Sequence, residues 1–104
     1  MKNTAMQTRL SEEVINLVHA RKSLLLATVC EDGSPYASYA PFAIGEQCLY
    51  ILISDIAVHA LNLAREPRAS VLVIEDEDNC EELFARIRVN YRVVAEQIET
   101  GKIE

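Results

Sequence analysis

The chain has 104 residues, half of them hydrophobic and a quarter charged, with 3 glycines and 3 prolines, which fits one packed domain over 1–104 and excludes two-domain, collagen-like and disordered readings. A formal charge of −6 argues against a nucleic-acid partner, because non-specific binding draws its free energy from Lys and Arg neutralising phosphates. No apolar run approaches the ~18 residues of a membrane span, and Met1 to Arg9 lacks the apolar stretch of a secretory signal, so the expectation is a soluble, cytoplasmic protein with no membrane partner.

Met1 to Thr8 is polar and reads as a frayed terminus, with 1–9 expected to be flexible. A helix is predicted from Ser11, a good N-cap, with Glu12 and Glu13 at the positive end of the dipole and Val14, Leu17 and Val18 at helical spacing. Arg21 and Lys22 suit its C-terminus. Leu24 to Val29 reads as a strand ended by Glu31-Asp32-Gly33-Ser34, whose Asp-Gly supplies the positive φ of a hairpin turn. A second strand follows from Tyr36 to Ile44. It carries Pro35 and Pro41, which cannot donate to a ladder, so it belongs at an edge or a bulge with backbone open to a ligand.

Beyond a turn at Gly45-Glu46-Gln47, Leu49 to Ile53 is almost wholly apolar, as expected of a strand covered on both faces. Asp55 is placed to cap a helix with Ile56, Ala60 and Leu63 on one stripe, ended by Pro67. Ala69 to Ile74 reads as another buried strand. The acidic run from Glu75 to Glu82 fails as a calcium loop, since counting from Asp76 the positions that need Gly and Glu hold Glu81 and Ile87; it reads as a solvated turn leading into a short helix. From Leu83 to Ala95 the alternation is regular, with Leu83, Ala85, Ile87, Val89, Tyr91 and Val93 on one face and Phe84, Arg86, Arg88, Asn90, Arg92 and Val94 on the other.

Hairpins outnumber strand-helix crossovers in this order, so the fold class is mainly β, with α and β elements forming an antiparallel barrel and short helices at its rim. Five strands barely close a barrel. The longest strand comes last and leaves an open edge unless another chain covers it, which makes pairing of two copies a structural expectation. A domain of this size buries only about two-thirds of its unfolded surface, so a large ligand calls for a site shared between copies.

Cys30, Cys48 and Cys80 are odd in number and widely spaced, which indicates reduced, mostly buried thiols rather than a disulfide framework or a zinc site. His59 borders the inward stripe of its helix and reads either as a haem or metal ligand or proton carrier, or as a rim histidine bonded to a carbonyl. His19 sits at a helix C-terminus, where an imidazolium is favoured. Arg86, Arg88 and Arg92 project from one strand face and form either an anion grip or a set of cross-strand pairs with Glu75, Asp76 or Glu96. No nucleophile elbow, Cys-His arrangement or phosphate loop is present.

Three stretches, SPYASYAPF from Ser34 to Phe42, the ISD-x-A-x-HA-x-NL block from Ile53 to Pro67, and VLVIEDED followed by LFAR, resemble the HugZ/HutZ-type haem-utilisation proteins within the pyridoxamine 5'-phosphate oxidase-like, FMN-binding split barrels. The likeness runs from about Ser23 to Val94. It implies a split β-barrel, a homodimer, and ligand sites where the subunits meet. It further implies that haem is the ligand, with oxidative degradation at the dimer interface as the activity. Tyr39, Ala40, Pro41 and Phe42 would line an apolar wall, Arg86 and Arg88 would hold propionates or polarise a bound ligand, and His59 would lie near the pocket. FMN is the alternative cofactor, but the Arg and Lys with which flavin-using relatives grip FMN from the second strand fall on Ser38 and Ala43, and the phosphate-holding Arg-Lys pair of the rim helix falls on Val58 and His59. The relatives continue past this chain's last residue and take their axial histidine from that further segment. By the resemblance the barrel is therefore C-terminally truncated, with a non-catalytic dimeric role as a further alternative.

Overall fold

A computed structural model describes residues 4–98. Two α-helices, two short 3₁₀ helices and five strands follow in the order α1 (Thr4–Ala20), β1 (Ser23–Val29), β2 (Pro35–Ile44), β3 (Leu49–Ile51), α2 (Val58–Arg65), β4 (Arg68–Ile74), the two 3₁₀ turns Glu77–Asn79 and Leu83–Ala85, and β5 (Arg88–Val94). The strands form one sheet in the order β3-β2-β1-β4-β5, and every neighbouring pair is antiparallel. The sheet curls into a half-barrel, as the sequence predicts. Among the described residues no helix is long and apolar enough to cross a membrane.

The β1–β2 hairpin forms as its turn chemistry dictates. Gly33 takes a φ of +87°, a conformation that costs a residue with a Cβ but not glycine, and Asp32 accepts from both the backbone N–H and the hydroxyl of Ser34. The carboxyl of Asp32 is held below its ordinary range, chiefly by the Ser34 hydroxyl and then by its N–H. Period two then divides β1. Leu24, Leu26 and Thr28 are buried, while Ser23, Leu25 and Ala27 face out.

The inward residues meet Val71 and Val73 of β4, Leu17 and Val18 of α1 and Leu63 of α2 in one core, with Phe42, Val89 and Val93 packed against it. Burying a side chain such as Leu26 is worth about 1.5–3 kcal/mol, so this inward row fixes the strand register. Sliding by one residue would turn it to solvent.

Five expectations need correcting. The helix α1 already runs at Thr4, well before Ser11; the part of the fraying expectation that concerns residues 1–3 lies outside the described residues. β3 is only Leu49–Ile51, half-buried at the sheet's edge rather than covered on both faces. Asp55 does not cap α2: the N-cap is Ala57, with no side-chain bond, and Ile56 is 86% exposed instead of starting a buried stripe. Leu83 to Ile87 is not strand, because Leu83–Ala85 winds into a 3₁₀ turn and β5 begins at Arg88. Cys48 is exposed and Cys30 and Cys80 half-buried, so the thiols are free but not core residues.

The edge expectations hold in part: among the described residues β5 pairs with β4 alone, but β2 lies inside the sheet, between β1 and β3. β2 is covered by β1 on one side, and β3 reaches only Phe42 to Ile44 on the other, so the stretch from Pro35 to Ala40 has no second strand neighbour among the described residues.

Candidate functional site

The outward face of the sheet is read directly from strand register. Leu25 stands opposite Tyr39 on β2 and Leu72 on β4, and Leu72 stands opposite Asn90 on β5. This row crosses three apolar side chains before reaching a polar one. Tyr39 is 69% exposed and Leu25 48%, values that mark an apolar face rather than a core. The next row holds Ala37, Ala27, Ser70 and Arg92, and beyond it Val29 faces Pro35 while Arg68 faces Val94. On the other flank Ser23 pairs with Pro41, and Ile74 with Arg88. The apolar row therefore lies between Arg88 and Arg92, whose Cα atoms are about 13 Å apart along one strand.

The stretch Tyr39, Ala40, Pro41, Phe42 does not form one wall. Tyr39 and Pro41 face outward, while Ala40 is buried and Phe42 packs on the core. Ser38 shares their inward side and meets His59 of α2, its Oγ 2.7 Å from Nδ1 and 3.4 Å from the Leu26 carbonyl oxygen. A hydroxyl has one proton to give; where Nδ1 accepts it, the N–H of His59 is on Nε2. With the imidazole reversed, Ser38 accepts from Nδ1–H and donates to Leu26, and Nε2 carries the lone pair. Two of the four residues that stand at the flavin-gripping positions are thus bonded to one another, a contact between residues 21 apart that strand and helix spacing alone do not reveal.

The arginine stripe is broken. Arg86 precedes β5, is half-buried, and donates Nε and Nη2 to the Glu75 carbonyl oxygen at 2.9 and 2.6 Å. Its predicted pairing with Glu75 exists, but through the backbone; the Glu75 carboxylate accepts from the Ile87 N–H instead. Arg88 donates Nη1 to the carbonyl oxygens of Arg86 and Phe84. Both arginines border a hollow of about 360 Å³ that also contains Glu13 and Val14 of α1.

Arg92 has no ion-pair or hydrogen-bond partner among the described residues. It borders a second open hollow of about 480 Å³ with Arg68, Ser70, Ala27, Val29, Pro35 and Val94. Arg68 is held there by Glu66, which takes Nε and Nη2. The Arg68 guanidinium holds the Glu66 carboxyl below its ordinary range, and Glu66 in turn raises Arg68.

The sequence from residue 10 to residue 104 matches the family model of pyridoxamine 5'-phosphate oxidase. The chain belongs to the pyridoxamine 5'-phosphate oxidase family. Within that family it is 42% identical over 99 residues to a protein called heme oxygenase HutZ from Vibrio cholerae, covering 95% of this chain and 56% of HutZ. The crystal structure of HutZ, there described as a heme storage protein, superposes with a TM-score of 0.80 at 43% identity, covering 86% of this chain and 63% of the other. ChuZ from Campylobacter jejuni matches with a TM-score of 0.86 at 29% identity, over 98% of this chain and 41% of ChuZ. A heme-binding protein from Mycobacterium smegmatis matches at 0.77 and 30% identity, over 86% of this chain and 37% of that one. The chain therefore spans between about two-fifths and two-thirds of the length of these family members.

Proposed function

We propose that this protein binds haem in haem and iron utilisation, as a homodimer whose second copy seats on the outward sheet face. The observation that carries the reading is that face itself: an apolar row of exposed Tyr39 and Leu25 and half-buried Leu72 spans three strands and is bounded by Arg88 and Arg92. Three strands at ~4.8 Å spacing cover about 10 Å, which is the scale of a porphyrin plate. A plate with apolar faces and two carboxylates fits a surface that offers hydrocarbon in the middle and guanidinium at the margin. Haem, when bound, supplies a redox-active iron.

This chain's residues take distinct parts in the reading. Tyr39 and Pro41 present their side chains to the ligand, while Ala40 and Phe42 hold the strand from within. Arg88 keeps Nε and Nη2 for an anion beyond the carbonyls it already serves. Arg86 acts one step removed, by fixing the chain before β5. His59, tethered by Ser38, stands at the rim with Nε2 free to donate or accept according to the tautomer. The three unpaired thiols suit the reducing cytoplasm.

FMN fits this surface less well. Its phosphate needs a cluster of cations or N–H donors, and the Ser38–His59 bond occupies the place where the resemblance looks for them.

Hemin titration of the purified chain, followed at the Soret band, tests the reading alongside sedimentation to read its association state. The expected result is a saturable shift with a dimer. A protein that is monomeric at micromolar concentration and gives no saturable shift overturns it, and a preparation that releases FMN on denaturation gives the flavin alternative its support. Adding a reductant to the loaded protein and following loss of the Soret band reads whether the bound haem is degraded.

A further inference from the structure

We infer that Arg92, with Ser70 and Arg68, forms a carboxylate-binding subsite on the outward sheet face, and that this subsite anchors one acid group of the ligand. The inference rests on the haem reading and adds to it a residue set that the likeness to haem-utilisation proteins does not assign.

Of the three arginines, Arg86 is committed and Arg88 partly so. Arg86 spends Nε and Nη2 on the Glu75 carbonyl, and Arg88 spends Nη1 on two more carbonyl oxygens. The hollow those two border also contains Glu13, a carboxylate that opposes a second anion. Arg92 keeps its whole donor fork, since among the described residues nothing accepts from it.

Register then assembles the subsite. Ser70 is the direct cross-strand partner of Arg92, and Arg68 is the partner of Val94, two residues further along β5. Arg68 and Arg92 are therefore diagonal neighbours on one face, at about 7–8 Å, with Ser70 on that same face. Glu66 neutralises Arg68 and fixes its position through Nε and Nη2, leaving Nη1. The net charge offered to a ligand is that of Arg92.

Apart from Thr28, whose hydroxyl is bonded to Asn62, the remaining lining is apolar, Ala27, Val29, Pro35 and Val94 among it, and none of the lining residues is acidic. Hydrocarbon walls around one unpaired guanidinium and a hydroxyl suit a carboxylate carried on an apolar body. They suit a phosphate less, because its charge would call for a second cation that Glu66 has already taken. The Tyr39–Leu25–Leu72 row lies one row away on the same face.

The test is hemin titration of the unaltered chain, Arg92→Ala and Arg92→Lys, repeated with the dimethyl ester of haem, whose acid groups are blocked. One charge-assisted bond lost corresponds to about a tenfold or greater weakening. Hemin should therefore bind Arg92→Ala at least about tenfold more weakly than the unaltered chain, with Arg92→Lys between them, and the ester should bind all three alike. Equal hemin affinity in Arg92→Ala and the unaltered chain, or an equal loss with hemin and ester, overturns the subsite while leaving the haem reading intact. Failure of the unaltered chain to bind hemin overturns both. Sedimentation of Arg92→Ala completes the test: a variant that no longer associates as the unaltered chain does would assign Arg92 to contact with a second copy and overturn the ligand role. Arg92 is exposed on an edge strand, and an unchanged circular dichroism spectrum is expected.

Discussion

The side-chain amide of Asn62 donates to the hydroxyl of Thr28 at 3.0 Å, and both residues are buried, at 4% and 2% exposure. This bond ties α2 to β1 inside the core, where a polar group left without a partner costs more than the bond itself contributes. Asn62 also donates to the Cys30 sulfur at 3.7 Å and accepts from Arg65, which caps the Val29 carbonyl at 2.7 Å. Replacing Asn62 by Ala strands the Thr28 hydroxyl and is expected to destabilise by about 1–3 kcal/mol, a loss of roughly 4–8 °C in Tm per kcal/mol. Because α2 carries His59, the same variant should also loosen the Ser38–His59 contact. Thermal unfolding with calorimetry measures the first effect; a Tm unchanged within a degree would show that the cluster contributes nothing.

Arg86→Ala removes two donors from the Glu75 carbonyl and releases the connection into β5. Its main effect should be on stability, at about 1–2 kcal/mol for two bonds to a charged donor on a half-buried carbonyl. Arg88→Ala, which removes a more exposed group, should change stability less. Urea denaturation of the pair separates them, and equal midpoints would contradict the division of roles drawn from their hydrogen bonds.

At the β2–β3 turn, a Cβ on Gly45 would lie 2.6 Å from Cε2 of Tyr50, 3.0 Å from the Cys48 sulfur and 3.1 Å from the Cys48 carbonyl oxygen. Gly45 donates its N–H to that same carbonyl at 2.8 Å, so the turn cannot widen without losing the bond. Gly45→Ala should destabilise by about 1–3 kcal/mol through overpacking. The cost should fall, without vanishing, in a Tyr50→Ala background, because the ring goes and the carbonyl stays. A double-mutant cycle reads this coupling directly.

How much of this was legible in the sequence differs by element. The β1–β2 hairpin could be read residue by residue, because Asp32, Gly33 and Ser34 solve a local problem of turn geometry. The start of β5 could not. Leu83 to Ile87 alternates as a strand would, but alternation measures only a pattern of polarity, and here Phe84 is 91% exposed in a 3₁₀ turn. The same limit explains Ile56 and Asp55: helical spacing gave them a stripe and a cap, and the chain enters α2 two residues later. For the site, the arginines were visible as a set, but which of them remains uncommitted depends on Glu75 and Phe84 carbonyls that only the folded backbone brings near. The Ser38–His59 bond joins β2 to α2 and has no signature in either segment alone. The division of Tyr39 and Pro41 from Ala40 and Phe42 follows from strand periodicity, and the family likeness concealed it by grouping the four as one wall.

Asp32 gives a pH dependence with a definite sign. Its folded-state pKa is depressed, first by the hydroxyl and then by the N–H of Ser34, so the hairpin gains stability above the carboxyl's unfolded pKa and loses it as the pH falls through the lower, folded value. Ser34→Ala removes the leading cause. It should raise the Asp32 carboxyl toward its ordinary range, and the acid limb of the stability curve should become shallower below that range. Carboxyl chemical-shift titration of both proteins checks the direction; an identical midpoint in the variant would remove the hydroxyl as the cause.

The opposed faces of β2 make the sharpest separation between folding and binding. Tyr39 and Phe42 lie three residues apart on one strand, yet Tyr39 faces out and is largely exposed, whereas Phe42 packs against the core. Phe42→Ala opens space behind β2 and should cost about 2–4 kcal/mol, somewhat below the full core value because the ring is only half-buried. Tyr39→Ser removes a ring that touches mainly solvent in a single copy, so its unfolding midpoint should stay within about 0.5 kcal/mol of the parent. If the outward face is where a second copy and haem meet, the same substitution should weaken self-association and hemin affinity together. Sedimentation and Soret titration of the two variants, run beside denaturation, give a crossed pattern: Phe42→Ala unstable in proportion to its cavity, Tyr39→Ser stable but poorly associating. A stable Tyr39→Ser that dimerises and binds hemin like the parent would move the interface off this face.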